Sequence, residues 1–189
     1  HFADFIPFFF DAVIFCKYQG GTRPPLTLIG PHGTATLMRS MMTTFPSFDR
    51  PPFRVTIREV ADRSIRIGET RITPATVTHA PKLHCVGYRV EYQGHAVAYS
   101  GDSQYCESLV RLCHEADFAV LDCSFPENRP GAGHLHAGLC GRVAQEAGVN
   151  QLVLSHFYPI AEQYDVRAQA KHYFPGRVRI ARDLLKLRS

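Results

Sequence analysis

The 189-residue sequence lacks several features that would place it in other classes of protein. Its six cysteines form no Cys-x-x-Cys pair and most lie in apolar runs, which favours reduced, buried thiols in a cytoplasmic protein over disulfides or a zinc knuckle. The formal net charge is +4 without a block of basic residues, which disfavours a nucleic-acid patch. Internal repeats and linkers are absent, so we expect a single domain over residues 1–189.

Long hydrophobic runs are missing as well. The most apolar stretch, HFADFIPFFFDAVIFCKY, is interrupted by Asp4, Pro7 and Asp11, and it is too short and too polar to span a bilayer. It is more typical of an aromatic-rich helix that packs on a sheet or on a partner subunit, so we expect a homodimer with this segment near the contact and no association with membranes. Because the chain has no initiator methionine, we also expect the domain to be N-terminally incomplete.

The predicted elements are strand-rich at first and then alternate between strands and helices. Predicted strands and hairpins span 26–29, 53–60, 64–79, 85–100, 118–125, 151–159 and 177–183. Predicted helices span 32–45, about 103–116, 137–148 and about 162–173. The hairpin over 85–100 turns at Gln93-Gly94. This order predicts an α/β protein with two sheets and helices on the outside.

Three predicted strands end in a side chain that can bind a metal ion. PATVTH ends at His79, AVAYSGD at Asp102 and QLVLSH at His156. The ends of strands in one sheet lie side by side, so these groups can converge. Two imidazoles and a carboxylate are a ligand set of zinc and related ions. A local alternative for Asp102, or for Ser103, is to cap the following helix.

Two further histidines lie in the glycine-rich segment GAGHLHAG, directly before a predicted helix. Glycines let such a loop approach a site closely, and an imidazole beside a metal centre can donate a proton to a leaving group. We assign that role to His134, whereas His136 is more readily explained by its place at the helix start. Four other histidines lack a strand-end context and are interpreted as surface or core residues: His84, His95, His114 and His172.

Taken in order, the segments VTHAPKLHCVGYRVE, AYSGDSQ, LDCSF, GHLHA and GVNQLVLSHFYP resemble the metallo-β-lactamase superfamily. The closest likeness is to its ribonuclease Z and arylsulfatase-like branch of metal-dependent hydrolases. Of the family's first signature, His-x-His-x-Asp-His, only His1 is present, and it fits the last histidine. The resemblance implies an αββα sandwich that lacks its N-terminal strands in this chain, through truncation or through true loss of the signature.

The resemblance also implies roles for individual residues. His79 would join two absent histidines on a first metal ion, and Asp102 would bridge two ions. His1 and His156 would complete the second ion, and His134 would protonate the leaving group. The implied cofactors are two divalent ions, zinc by the histidine-rich ligand set, with manganese or iron as alternatives.

The implied activity is hydrolysis of a phosphodiester or related ester of a small molecule by a metal-bound hydroxide. The alternatives are a sulfate-ester or lactone hydrolase on the same site, and a metal-free scaffold that acts as a binding subunit. Long ribonuclease Z enzymes insert a tRNA-gripping arm between the third-motif histidine and the Gly-Asp turn. Here the matching gap, His79 to Asp102, holds only one hairpin, so we expect no efficient processing of precursor tRNA.

Overall fold

The computed structural model describes residues 3–48, 50–60 and 63–188. The chain divides into two compact units, residues 1–61 and residues 62–189. Of the described helices, none combines the length and the apolar content that crossing a membrane requires.

The N-terminal unit packs two helices and a small parallel sheet around an aromatic core. Its elements are helix α1 (Phe5–Tyr18), strand β1 (Leu26–Gly30), helix α2 (Thr34–Thr44), a 3₁₀ turn (Pro46–Phe48) and strand β2 (Val55–Glu59). The buried ring of Phe9 lies edge-on to Phe48 and Phe53, with centroids 5.3 and 5.8 Å away. The predicted aromatic-rich helix is confirmed as α1, and the apolar faces of both strands pack against the core to which it contributes.

The C-terminal unit is built on one seven-stranded sheet whose strand order follows the chain. Its strands are β3 (Ile65–Ile67), β4 (Thr70–Val77), β5 (Cys85–Tyr92), β6 (His95–Tyr99), β7 (Phe118–Asp122), β8 (Gln151–Ser155) and β9 (Arg177–Ile180). Its helices are α3 (Glu107–Cys113), α4 (Ala137–Ala147) and α5 (Val166–Tyr173), with a 3₁₀ turn at Ala161–Gln163. Neighbouring strands from β3 to β6 pair antiparallel, and those from β6 to β9 pair parallel. The predicted α/β class is confirmed.

Apolar residues on one face of the sheet form the core of this unit together with the three helices. Strand residues such as Ala98, Leu121 and Leu154 are fully buried there, as are Leu109 of α3 and Val143 of α4. The hairpin predicted over 85–100 is confirmed. Its two turn residues both have a positive φ, 48° at Gln93 and 81° at Gly94, which matches the twist of the flanking strands.

The helix after β6 begins later than the apolar spacing predicts. α3 starts at Glu107, and its N-cap is Cys106 in an extended conformation. Neither Asp102 nor Ser103 lies at the helix start, so the capping role considered for them is wrong.

The physical reason for the late start is a pair of hydrogen bonds to neighbouring strands. The N–H of Ser103 donates to the Asp122 carboxylate (3.1 Å), and the N–H of Gln104 donates to the Thr78 carbonyl (2.6 Å). With Asp102 as the N-cap, its side chain would accept from the N–H of Gln104, and that N–H is already bound to Thr78. The segment instead follows the edge of the sheet where the candidate site lies.

Candidate metal centre

One edge of the seven-stranded sheet collects the ends of four strands. β5 is antiparallel to both β4 and β6, while β7 and β8 are parallel to β6. The carboxyl ends of β4, β6, β7 and β8 therefore share an edge, where crossover connections in α/β sheets commonly form ligand sites. His79, Asp102, Asp122 and His156 lie at these four ends.

The two oxygens of Asp102 each face one histidine. Nε2 of His156 lies 3.4 Å from Oδ1, and Nε2 of His79 lies 3.9 Å from Oδ2. The Asp102 side chain is almost fully buried, whereas both imidazoles keep some solvent access. His156 has a φ of 61°, a left-handed conformation that is costly for a residue with a Cβ atom and that recurs at functional sites.

The hydrogen bonds behind His79 fix which ring nitrogen faces Asp102. Nδ1 of His79 lies 2.8 Å from the carbonyl oxygen of Gly133, which can only accept, so Nδ1 carries the proton. In the neutral imidazole Nε2 then presents a lone pair to Asp102. This close approach needs a glycine: Gly133 has a φ of 85°, and a Cβ there would lie 3.2 Å from the His79 carbonyl oxygen.

Ser124 orients His156 in the same way. The Ser124 hydroxyl donates to Asp122 Oδ1 at 2.6 Å, so it accepts a hydrogen bond from Nδ1 of His156 at 2.9 Å. Nε2 of His156 therefore also turns a lone pair toward Asp102. Two lone pairs aimed at one carboxylate attract a cation, and such backing of the distal ring nitrogen is the usual support of metal-binding histidines. The residues present thus fit a divalent metal ion.

Asp122 is the residue that the sequence reasoning missed. Its carboxylate is buried and accepts four hydrogen bonds: Oδ2 from Ser103 N–H (3.1 Å) and His134 Nδ1 (2.7 Å), and Oδ1 from the N–H (3.0 Å) and hydroxyl (2.6 Å) of Ser124. A signal was available, because Asp122 follows the apolar run of β7 just as His79 and His156 follow other apolar runs.

His134 lies between the other histidines of the site. Its ring centroid is 4.7 Å from that of His79 and 5.5 Å from that of His156, with which it is stacked. Because a carboxylate only accepts, Nδ1 of His134 donates to Asp122. Its Nε2 faces the hydroxyl of Tyr158 at 3.3 Å. The imidazole is therefore held at one nitrogen and presents the other outward.

Two overlapping sets of three residues offer ligand atoms that all lie within 4.8 Å of one another. The first set is His79, Asp102 and His134, and the second is Asp122, His134 and His156. The structure therefore brings together four of the five site residues named from the sequence. The fifth, His1, lies outside the described residues.

The remaining histidines take other places. His136 is the N-cap of α4 and accepts a hydrogen bond from Leu139 N–H at 3.4 Å, as its position at the helix start predicts. Burial lowers the pKa of His136, partly offset by the charge of Glu127. The four histidines interpreted as surface or core residues belong to neither ligand set of the described chain: His84, His95, His114 and His172.

Comparison with known sequences finds relatives over most of the chain. The family model described as beta-lactamase superfamily domain matches residues 15–157. "Probable metallo-hydrolase YhfI" of Bacillus subtilis is 33% identical over 114 residues, 58% of this chain and 47% of that protein. Ribonuclease Z of Mycolicibacterium gilvum is 30% identical over 193 aligned positions, 85% of this chain and 65% of that protein. The chain spans about half to two thirds of the length of these relatives.

Solved structures of similar fold cover nearly the whole chain. The crystal structure of the metallo-beta-lactamase fold protein YhfI from Bacillus subtilis has a TM-score of 0.78 and 26% identity, over 96% of this chain and 70% of that one. The structure of a diphosphatase from the PhnP family has a TM-score of 0.67 and 18% identity, over 93% of this chain and 62% of that one. At 18% identity the second likeness concerns the fold alone.

Proposed function

Because the chain belongs to the metallo-β-lactamase superfamily, we propose that it is a binuclear metal-dependent hydrolase that cleaves phosphodiesters or related esters of small molecules. The fold and the metal-dependent hydrolase family are common to the chain and its relatives. The number of ions, their identity and the substrate belong to the proposal.

One observation carries the proposal: the two oxygens of Asp102 each face a histidine Nε2 that is deprotonated in the neutral ring. A carboxylate placed in this way would be able to bridge two cations. His79 would hold one ion and His156 the other, with His1 as a further ligand. Zinc suits the imidazole-rich set, with manganese or iron as alternatives. When bound, such ions supply Lewis acidity and an activated water nucleophile.

The protein's own contribution to the chemistry centres on His134. The buried Asp122 carboxylate accepts a hydrogen bond from Nδ1–H of His134 at 2.7 Å and so fixes the orientation of the ring. The same arrangement orients the imidazole in hydrolases that use a carboxylate–histidine pair. Nε2 of His134 then carries the proton that the leaving-group oxygen takes as its bond to phosphorus breaks.

The choice of a phosphodiester is supported by the relatives named ribonuclease Z, since a ribonuclease cleaves phosphodiester bonds. The family match from residue 15 to residue 157 includes parts of both compact units, which supports the single-domain prediction. All six cysteines are free, and three of them are buried, in keeping with a reducing, cytoplasmic setting.

The test measures metal content and hydrolysis side by side. We expect Asp102→Ala to lose both ions and all activity, as measured by elemental analysis after dialysis and by cleavage of bis-p-nitrophenyl phosphate. His134→Ala should keep its metal and lose about 10²- to 10⁴-fold in rate on diphenyl phosphate, whose phenolate must be protonated to leave. On bis-p-nitrophenyl phosphate, whose leaving group needs little help, the loss should be much smaller.

The matched control is His95→Ala, because His95 is exposed and lies at the opposite end of β6 from Asp102. It should keep both metal and rate. An unchanged metal content in Asp102→Ala would overturn the metal site. Turnover of p-nitrophenyl sulfate or of a lactone, without turnover of the diester, would overturn the substrate class.

A further inference from the structure

Tyr158 lies at the outer side of the candidate site, beside His134 and His156. It follows His156 by two residues, and its N–H donates to the Ser124 carbonyl at 3.2 Å, which fixes the backbone. Its ring packs against Phe125, His134 and His156, with centroids 5.2, 5.3 and 5.7 Å away. The side chain nevertheless remains 40% exposed, so one surface of the ring faces the solvent side of the site.

The hydroxyl of Tyr158 marks the place where a leaving group must lie. Nδ1 of His134 is held by Asp122, so Nε2 is the nitrogen that can reach a substrate. The Tyr158 hydroxyl is 3.3 Å from that nitrogen. An oxygen that takes a proton from Nε2 therefore comes within hydrogen-bond reach of the same hydroxyl.

Phe125 continues the aromatic surface next to Tyr158. The two rings meet nearly edge-on, at 62°. Phe125 is half-buried, and Gly131 packs so closely on its ring that a Cβ there would lie 2.2 Å from it. The ring is thus fixed from behind, and together the two side chains form a firm apolar wall beside His134. We call this wall of Tyr158 and Phe125 the aromatic wall.

We propose that Tyr158 is a catalytic residue that contacts the leaving group, and that the substrate is a phosphodiester whose leaving group carries a planar aromatic ring. The inference rests on the proposed function. The water oxygen forms the new bond to phosphorus, and the bond to the leaving oxygen breaks with its electron pair on that oxygen. His134 Nε2 gives its proton there, while Tyr158 donates a hydrogen bond and keeps its own proton.

The hydroxyl is tested with Tyr158→Phe on two diesters that differ in leaving-group acidity. We expect kcat on diphenyl phosphate to fall about 10-fold, because phenolate needs help to leave. On bis-p-nitrophenyl phosphate the loss should stay below about 2-fold, with KM unchanged for both. Tyr92→Phe, at the far end of β5, is the matched control and should equal the wild type. Equal losses on both diesters, or none on either, would overturn the role of the hydroxyl.

The aromatic wall is tested by binding, which needs no turnover. In calorimetry, wild type and Tyr158→Phe should bind phenylphosphonate about 3- to 10-fold more tightly than methylphosphonate. Tyr158→Ala should lose this preference while its melting temperature shows that it folds. A protein that prefers the phenyl ligand but cleaves no diester would refute the proposed function and leave the wall in place. A protein that cleaves diesters but binds both phosphonates equally well would refute the proposal that the aromatic wall binds the ring of the leaving group.

Discussion

At the scale of single residues, Asp122 links the two halves of the candidate chemistry. One of its oxygens holds His134, and the other holds the hydroxyl of Ser124, which in turn orients His156. All four donors around this buried carboxylate depend on it as their acceptor, and a buried donor without an acceptor destabilises the protein. The position of the proton donor and the orientation of a metal-binding imidazole therefore depend on one side chain.

We expect Asp122→Asn to separate these roles from metal binding. Each oxygen of Asp122 accepts two hydrogen bonds, so the amide nitrogen must face at least one donor. Stability should fall by about 1–3 kcal/mol, and the rate on diphenyl phosphate should fall about 10²-fold as His134 loses its partner. Because Asp102, His79 and His156 are unchanged, the variant should still bind metal at saturating concentration, with about 10- to 100-fold lower affinity since His156 is oriented less firmly.

Urea unfolding, initial rates and elemental analysis of the same preparation check this prediction. Ser64→Ala is a suitable control, since it removes only an exposed hydroxyl–hydroxyl contact with Thr73. If Asp122→Asn loses metal as Asp102→Ala does, then Asp122 is itself a ligand.

The sequence predicted a good part of the site because strand ends can be recognised locally. His79, Asp102 and His156 each follow an apolar run, and the structure brings them together with His134; their roles stay predictions. Asp122 follows the same pattern and was missed, because its importance lies in contacts with Ser103, Ser124 and His134 that no local pattern encodes.

At the scale of elements, the close packing of α4 on α5 positions the segment that carries His134. That segment runs from β7 into α4. At Gly141 a Cβ would lie 2.3 Å from the carbonyl oxygen of Ala170 in α5. The two helix backbones therefore approach as closely as a glycine permits. Glu127 belongs to the same segment, and its carboxylate accepts a hydrogen bond from the Tyr173 hydroxyl of α5 at 2.5 Å. This bond connects the segment to α5 as well.

We expect Gly141→Ala to destabilise the protein although alanine is the better helix former. The gain in helix propensity is about 1 kcal/mol, but the new methyl group meets a backbone atom that cannot move alone. Overpacking of this kind costs about 1–3 kcal/mol in addition to cancelling the gain. The free energy of unfolding in urea measures the net effect.

Gln145→Ala is the control for Gly141→Ala, because Gln145 is an exposed position of the same helix. It should leave stability unchanged or slightly raised. A Gly141→Ala protein as stable as the wild type would show that α4 and α5 can move apart freely.

Strand positions were easier to predict than helix starts, for a physical reason. The hairpin of β5 and β6 is encoded by alternation and by its turn at Gln93-Gly94, which are local properties. Whether Asp102 can cap α3 depends on where the N–H groups of Ser103 and Gln104 find acceptors, and those acceptors lie on β7 and directly after β4.

At the scale of the whole molecule, α1 keeps an aromatic surface that its own unit does not cover. Phe8 is 50% exposed and Tyr18 is 68% exposed, and with Phe15 they follow one face of the helix at helical spacing. Exposed apolar patches of this kind mark contacts with other proteins. We expect a homodimer with α1 near the contact.

Light scattering at micromolar concentration should give the mass of two chains. The double variant Phe8→Glu/Tyr18→Glu should give the mass of one chain with an unchanged melting temperature. Lys17→Glu, an exposed change of charge on the same helix, should stay dimeric. A wild type that is monomeric under these conditions would contradict the prediction.

The last prediction concerns RNA, because relatives of this chain are named ribonuclease Z. Between His79 and Asp102 the structure has only the hairpin of β5 and β6, with no inserted domain to grip a tRNA. The net charge of +4 is spread along the sequence, so few counterions are released on binding, and counterion release supplies most of the affinity for a polyanion.

We expect slow, weakly salt-dependent trimming of a precursor tRNA beside ready cleavage of bis-p-nitrophenyl phosphate. Both substrates should be compared on one metal-loaded preparation at about 50 and about 200 mM salt, where a true tRNA binder loses much of its affinity. Efficient trimming that falls steeply with salt would contradict this prediction and make the protein a processing nuclease without an arm.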